Sequence, residues 1–186
     1  MPAPKGGAIS LVLCRHGATV ENLSKRFLSH TDAPLGAQGH EQCKRLREAL
    51  REFQFERCVV SPMRRAEETR ELVAPDVPFT VEPALREVDF GNWEGKTIEW
   101  VEQHEPELFE RRRCDPVTFR FPGGESIEEA AMRIRPLAER LAGANATLVI
   151  GHRVTLGALE RLLRGLPLDS QLVEGLQPAD FRIVRA

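Results

Sequence analysis

The sequence predicts an α/β protein: a three-layer αβα sandwich with a mostly parallel central sheet. Two observations carry this. Short apolar runs alternate along the chain with segments of helical periodicity, the order that parallel strands joined by crossover helices require. The clearest runs, Ile9-Ser-Leu-Val-Leu-Cys14 and Thr147-Leu-Val-Ile150, are nearly continuous in apolar residues, as strands covered on both faces are. At 186 residues the chain reads as a single domain, 1–186, with a loose Pro- and Gly-rich arm over 1–7.

The elements follow in order. Ile9–Cys14 is the first strand, and the polar stretch 15–36, with Gly17, Pro34 and Gly36, is a loop with a helical turn. Gly39–Leu50 places Cys43, Leu46, Ala49 and Leu50 on one helical stripe. Cys58–Val60 is a second strand, stopped by Ser61-Pro62; Met63–Val73 is an amphipathic helix ended before Pro75; Phe79–Val81 is a third strand. Residues 83–96 read as a long loop, and a long loop inside a compact domain is commonly functional. Thr97–Arg113 is helical but broken near Pro106. Ser126 and Glu129 form a capping box ahead of a helix that buries Ile127, Ala130, Ile134, Leu137 or Ala138, and Leu141. Pro136 inside that helix is expected to kink it. Thr147–Ile150 is a strand, Thr155–Arg164 a helix and Phe181–Val184 a last strand.

Composition excludes several classes. Lys and Arg number 26 against 28 Asp and Glu, a net charge of −2, without the basic excess that nucleic-acid or membrane-surface binding needs. No apolar stretch reaches the ~20 residues of a membrane span, and no secretory leader pattern is visible. Four scattered cysteines, Cys14, Cys43, Cys58 and Cys114, lack the spacing of a zinc site. The expectation is a cytoplasmic protein with no metal, no cofactor, no nucleic-acid partner and no membrane partner.

Chemistry collects just after the strands. Arg15-His16-Gly17-Ala18-Thr19 follows the first, Ser61-Pro-Met-Arg64-Arg65 the second, Leu85-Arg-Glu87 the third and Gly151-His152-Arg153 the fourth. Ligands of open parallel sheets bind beyond the carboxyl ends of the strands, so these residues can meet in one cleft. Two Arg and two His around one space form an anion cage, and the guanidinium fork matches phosphate oxygens. A carboxylate beside such a cage would repel an anion that is merely held. It makes sense where phosphate is transferred and the leaving oxygen needs a proton. A neutral imidazole is then the nucleophile, and a nearby Arg favours that neutral form.

The segments also resemble a known family. Arg15–Thr19 followed by Asn22, Ser61–Thr69, Leu85–Gly95, Gly123–Ser126 and Gly151-His152 resemble, in order, the motifs of the histidine phosphatase superfamily in its phosphoglycerate mutase-like branch. The match covers nearly the whole chain. The short length and the Asp89–Gly95 and Gly123–Ser126 pattern look closest to the alpha-ribazole phosphatases and small broad-specificity phosphatases. The resemblance implies His16 as the phosphorylated nucleophile, with Arg15, Arg65 and His152 holding the phosphoryl group. Glu87 would be proton donor and then base, and Thr19, Asn22 and Gly17 would contact phosphate or substrate. The activity implied is metal-independent hydrolysis of small phosphorylated metabolites, by a monomer or homodimer. The alternatives are a cofactor-dependent phosphoglycerate mutase and a non-catalytic phosphate-binding module on the same fold. The segment Gly95–Gly123 is short for a mutase, which must shield its intermediate from water; a pure binder would be expected to lose His16 or Glu87.

Other residues carry less. Arg64 and the run Arg111–Arg113 read first as solvated helix positions, though the run could line an entrance for an anionic substrate; Trp93 reads as packing. Three positions depart from the family pattern: Ala18 where Glu or Gln is common, Glu68 for Gln, and Arg153 where a small residue is frequent. Arg153 either adds positive charge for a second anionic group or points outward.

Overall fold

The structure, a computed structural model, describes residues 11–169 and 175–184. The expected arm at 1–7 and the first two residues of the expected first strand lie outside them. The strands are β1 (Leu11–Arg15), β2 (Arg57–Val60), β3 (Phe79–Val81), β4 (Thr147–Gly151) and β5 (Phe181–Val184). They form a sheet in the order β3-β2-β4-β1-β5. Strands β1 to β4 pair in parallel, with Leu11 opposite Thr147 and Val60 opposite Ile150. The helices are α1 (Val20–Leu23), α2 (Ala37–Leu50), α3 (Arg64–Val73), α4 (Ile98–His104), α5 (Pro106–Cys114), α6 (Ile127–Leu141) and α7 (Arg153–Arg164).

Successive strand side chains point to opposite faces, and the core divides accordingly. Leu11, Leu13, Val59 and Val149 pack with Ile134 and Leu137 of α6 and Leu156 and Leu159 of α7. Val12, Cys14, Val60, Leu148 and Ile150 pack with Cys43 and Leu46 of α2 and Ala66 and Val73 of α3. These are the three layers that the continuous apolar runs predict. Each such side chain contributes about 1.5–3 kcal/mol by leaving water.

Several boundaries have local causes. The capping box is present: Ser126 N donates to Glu129 Oε2 at 2.8 Å and Glu129 N to Ser126 Oγ at 3.1 Å. Glu105 leaves the helical region (φ −132°, ψ 51°) ahead of Pro106, which opens α5. The long loop 83–96 contains two 3-10 turns, Pro83–Leu85 and Gly91–Trp93. The second drives Trp93 into full burial against Phe27, Phe119 and Phe121, so Trp93 is core, as expected. Helix α7 starts two residues earlier than periodicity suggests, because a distant carboxylate, Glu87, accepts from the amides of Val154 and Thr155.

The exception to the parallel pattern is β5, which runs antiparallel beside β1, with Cys14 opposite Phe181. After α7 the chain returns to the carboxyl end of the sheet before β5 begins. There Arg15 N donates to Asp180 O at 3.0 Å and Ala179 N to His16 O at 3.0 Å. The return delivers backbone groups to the place where the strand-end residues meet.

Candidate active site

Arg15 ends β1, Ser61 follows β2 and His152 follows β4, three adjacent strands of the sheet. The ladder continues past the strand ends and fixes these positions: His16 N donates to Gly151 O at 3.1 Å, and Ser61 N to Ile150 O at 2.9 Å. Arg65 stands on the first turn of α3, and Glu87 follows the 3-10 turn after β3. All five residues expected to act together are buried, His16 at 3%, His152 at 1%, Arg65 at 0%, Glu87 at 5% and Arg15 at 8% exposure. The two imidazole centroids are 5.0 Å apart and tilted by 59°. One PO₃ unit can therefore touch both rings.

The hydrogen bonds assign the imidazole protons. His16 Nδ1 lies 2.7 Å from the Gly17 carbonyl. A carbonyl only accepts, so Nδ1 carries the proton and Nε2 keeps its lone pair. His152 Nε2 lies 2.8 Å from Ser61 Oγ, while its Nδ1 is buried without a protein partner. Ser61 Oγ can donate to Nε2, which leaves Nδ1 with a proton that an oxyanion could accept. The Ser61 oxygen in turn accepts from Met63 N at 3.4 Å. Ser61 is thus a positioning residue, setting the tautomer of His152.

The two arginines are anchored from behind. Arg15 donates one guanidinium nitrogen to the Leu176 carbonyl at 2.8 Å. Arg65 donates to the carbonyls of Ser29 at 2.7 Å and Thr31 at 3.0 Å. That loop is itself tied by Glu94, which accepts from Ser29 N, Ser29 Oγ and Thr31 N. The Nε atoms of Arg15 and Arg65, like His152 Nδ1, are buried donors with no protein partner. An unsatisfied buried donor costs about 1–3 kcal/mol, and three of them near one imidazole pair suit an oxyanion.

Glu87 faces this cage with its carboxylate held at the start of α7. Oε1 accepts from Val88 N at 3.1 Å and Thr155 N at 3.2 Å, and Oε2 from Val154 N at 3.2 Å. Oε2 has one amide bond and so retains a lone pair for a reacting group.

Burial, then the guanidinium groups of Arg65 and Arg15, hold His16 well below the ordinary histidine range. Burial and the same cationic surroundings, Arg65 foremost, do the same to His152. Burial also pulls Arg15 down to about 10, with Glu87 opposing and Arg153 and Arg65 adding to the fall. Both imidazoles are therefore neutral in the folded protein at neutral pH. A consequence for stability follows. The unfolded chain takes up protons near pH 6.5 where the folded chain does not, so stability is complete above that pH and lost as pH falls below it. At pH 5.5 the loss is up to about 1.4 kcal/mol per imidazole. Thermal melts from pH 7.5 to 5.5 are expected to show this slope, and His152→Asn to remove one group's share; an unchanged slope in that variant would contradict the assignment.

The remaining expected residues divide. Thr19 and Asn22 cap α1 reciprocally, Asn22 N donating to Thr19 Oγ1 and Thr19 N to Asn22 Oδ1, each at 3.2 Å. Thr19 is fully buried by this role, whereas Asn22 also lines the cavity beside Arg15 and keeps its amide nitrogen for a ligand. Gly17 serves packing: its N–H donates to Thr69 Oγ1 at 3.0 Å, its carbonyl receives His16, and an added Cβ would meet Gly39 O at 2.8 Å and Cys43 Sγ at 2.9 Å. Its missing side chain admits α2, and neither of its backbone polar groups is left for phosphate. Arg64 is exposed and pairs with Glu68, which also accepts from Leu35 N; the departure at position 68 is thus structural. Ala18 is buried and its N–H donates to Gln42 Oε1. The arginine run splits: Arg111 is exposed, Arg113 pairs with Glu110, and Arg112 lines the cavity together with Arg153.

That cavity, of about 120 Å³, is bordered by Arg15 and Glu87, with the more deeply buried His16, Arg65 and His152 next to them. The backbone carbonyls of Ser29, Thr31 and Leu176 are functional groups that side-chain reasoning misses. Ser61 is different, because its place directly after a strand end was a usable signal. Among the described residues no three His, Cys, Asp or Glu side chains gather as a metal-holding group. No described helix is long and apolar enough to cross a membrane.

Comparison with known proteins gives a consistent picture. The family profile described as "Histidine phosphatase superfamily (branch 1)" matches residues 11–185. The mouse (Mus musculus) 6-phosphofructo-2-kinase/fructose-2,6-bisphosphatase 1 is 34% identical over 152 residues, which are 81% of this chain and 31% of that protein. The chain thus spans about a third of that two-function relative. "Probable phosphoglycerate mutase GpmB" of Citrobacter koseri is 30% identical over 164 residues, covering 86% of this chain and 76% of that one. Among solved structures, the alpha-ribazole phosphatase from Shigella flexneri superimposes with a TM-score of 0.80 at 26% identity, covering 92% of this chain and 87% of that chain.

Proposed function

The chain belongs to the histidine phosphatase superfamily (branch 1), and on that premise we propose that it is a phosphoric monoester hydrolase acting through a phosphohistidine on His16. The observation that carries this is the proton assignment at His16. Its Nδ1–H is fixed on the Gly17 carbonyl, which leaves the Nε2 lone pair free, and the neighbouring Arg15 and Arg65 each keep a buried Nε donor without a partner. In the first step Nε2 attacks phosphorus and the bond to the ester oxygen breaks. Glu87 acts as the general acid and passes a proton to the departing alkoxide. The imidazole becomes cationic as it bonds phosphorus, and the Gly17 carbonyl stabilises that charge. In the second step water attacks the phosphohistidine, Glu87 takes its proton, and free phosphate leaves with His16 restored. Arg15 and Arg65 neutralise the equatorial oxygens throughout and neutral His152 donates a hydrogen bond to one of them, so no metal ion is needed.

The substrate is a small phosphorylated metabolite, as in the phosphatases and the mutase that this chain resembles. The enzyme is cytoplasmic, a monomer or homodimer, with no nucleic-acid or membrane partner. The balanced charge and four unpaired cysteines support this setting. The test is a panel of phosphate esters, 2- and 3-phosphoglycerate included, assayed with excess chelator. Phosphate release that survives chelation is the expected result. Interconversion of the two phosphoglycerates without phosphate release would make the chain a mutase instead.

A further inference from the structure

The cavity beside the phosphoryl pocket has more positive charge than one phosphoryl group needs. Four guanidinium groups border it, from Arg15, Arg26, Arg112 and Arg153, against a single carboxylate, Glu87. Arg65 lies just behind, where the carboxylates of Glu87, Glu94, Asp32 and Glu21 act on it, so the excess positive charge is that of the cavity wall. Several arginines outside the cavity are paired with carboxylates: Arg64 with Glu68, Arg113 with Glu110, Arg133 with Glu125 and Arg182 with Glu160. Arg112 and Arg153 have no such partner among the described residues. Arg112 is half-buried over the rings of Phe27 and Phe121, at 5.7 and 5.8 Å, which holds its charge in place without balancing it. The Arg153 Nε is buried and unpartnered. Burial lowers Arg112, and Arg153 lowers it further, with no carboxylate opposing. Arg153 acts the same way on Arg15, so the three form one run of like charge leading out of the phosphoryl pocket.

Like charges held side by side in a half-buried wall are unfavourable until an anion joins them. Arg15 and Arg65 already serve the phosphoryl group. We propose that Arg112 and Arg153 bind a second anionic group on the substrate. The preferred substrates are then phosphomonoesters that carry another carboxylate or phosphoryl group, and alkyl or sugar monophosphates without a second anionic group are poor ones. This rests on the phosphatase reading above and narrows its substrate class. The apolar neighbours of the pair limit water at the subsite, which strengthens a charge-assisted fork onto either kind of anion.

The experiment compares substrates matched except for the second charge, reading phosphate release. One pair is 3-phosphoglycerate against glycerol 3-phosphate; the other is fructose 1,6-bisphosphate against fructose 6-phosphate. The wild-type protein is expected to favour the doubly anionic member of at least one pair by about 10-fold or more in kcat/KM. Which pair responds tells carboxylate from phosphoryl. Arg112→Met and Arg153→Met are expected to collapse that ratio, and the Lys variants to restore part of it. A wild-type ratio near one in both pairs, or a ratio unchanged in the Met variants, overturns the proposal. Should a Met variant fail to fold, the wild-type ratio and the Lys variant still decide. If no ester is hydrolysed, 4-nitrophenyl phosphate included, the phosphatase reading has failed, and calorimetry then tests the subsite by itself. Tighter binding of 3-phosphoglycerate than of glycerol 3-phosphate retains it, and equal binding ends it.

Discussion

Replacing His16 with Ala is expected to lower kcat by about 10⁴-fold or more, the largest effect of any single change in the chain. Only Nε2 of this ring offers phosphorus a lone pair, because Nδ1 is committed to the Gly17 carbonyl. His152 is not expected to substitute, since its Nε2 is occupied by Ser61 and its Nδ1 is then the protonated nitrogen. The measurement is phosphate release, combined with rapid-quench labelling by a ³²P-ester. Wild-type protein should acquire an acid-labile, alkali-stable label, and the variant should acquire none. Residual turnover within 100-fold of wild type, or an undiminished label, would remove His16 from the nucleophile's role. Because the cage is anchored by backbone carbonyls rather than by His16, the variant should still bind inorganic phosphate.

Glu87→Gln is expected to lower steady-state kcat on alkyl phosphates by about 10²–10⁴-fold. The amide oxygen of Gln can still accept from Val88 N and Thr155 N, although the bond from Val154 N to the other oxygen is lost, so most of the tie to α7 survives the change. The informative readout is the dependence on leaving group. An alkoxide needs a proton to depart, whereas 4-nitrophenolate leaves unaided. With 4-nitrophenyl phosphate the variant should therefore release a fast burst of one equivalent of nitrophenol, then turn over slowly while water attack lacks its base. With an alkyl phosphate there should be no burst. Equal loss of the first turnover on both esters would assign Glu87 a structural role at α7 in place of proton transfer.

The sequence made the layered architecture and the five central side chains legible for distinct reasons. Burial on both faces of β1, β2 and β4 requires runs of continuous apolar residues, and such runs stand out from the polar stretches after them. Arg15, His16 and His152 then follow from position alone, being the first polar residues beyond a strand end. Arg65 could be told from Arg64 only by resemblance, since adjacent helix residues differ by direction and not by composition. The same ambiguity hid Arg112 within Arg111–Arg113. Its partners are Phe27 and Phe121, distant in the chain, and only their packing shows which of three identical side chains turns inward. The direction of β5 was equally hidden, because four residues at a sheet edge do not show which way the strand runs. The carbonyls of Ser29, Thr31 and Leu176 could not be read at all, for every residue has one.

Under the proposed reaction, those carbonyls bear on product release. Arg15 and Arg65 are clamped before any ester arrives, so nothing has to be assembled when a PO₃ group enters. A receptacle ready in advance fits inorganic phosphate as well as it fits the ester, and no spring is stored in it to push the ion out. Under the proposed reaction, escape of phosphate is expected to limit the turnover of good substrates, and added inorganic phosphate to inhibit competitively.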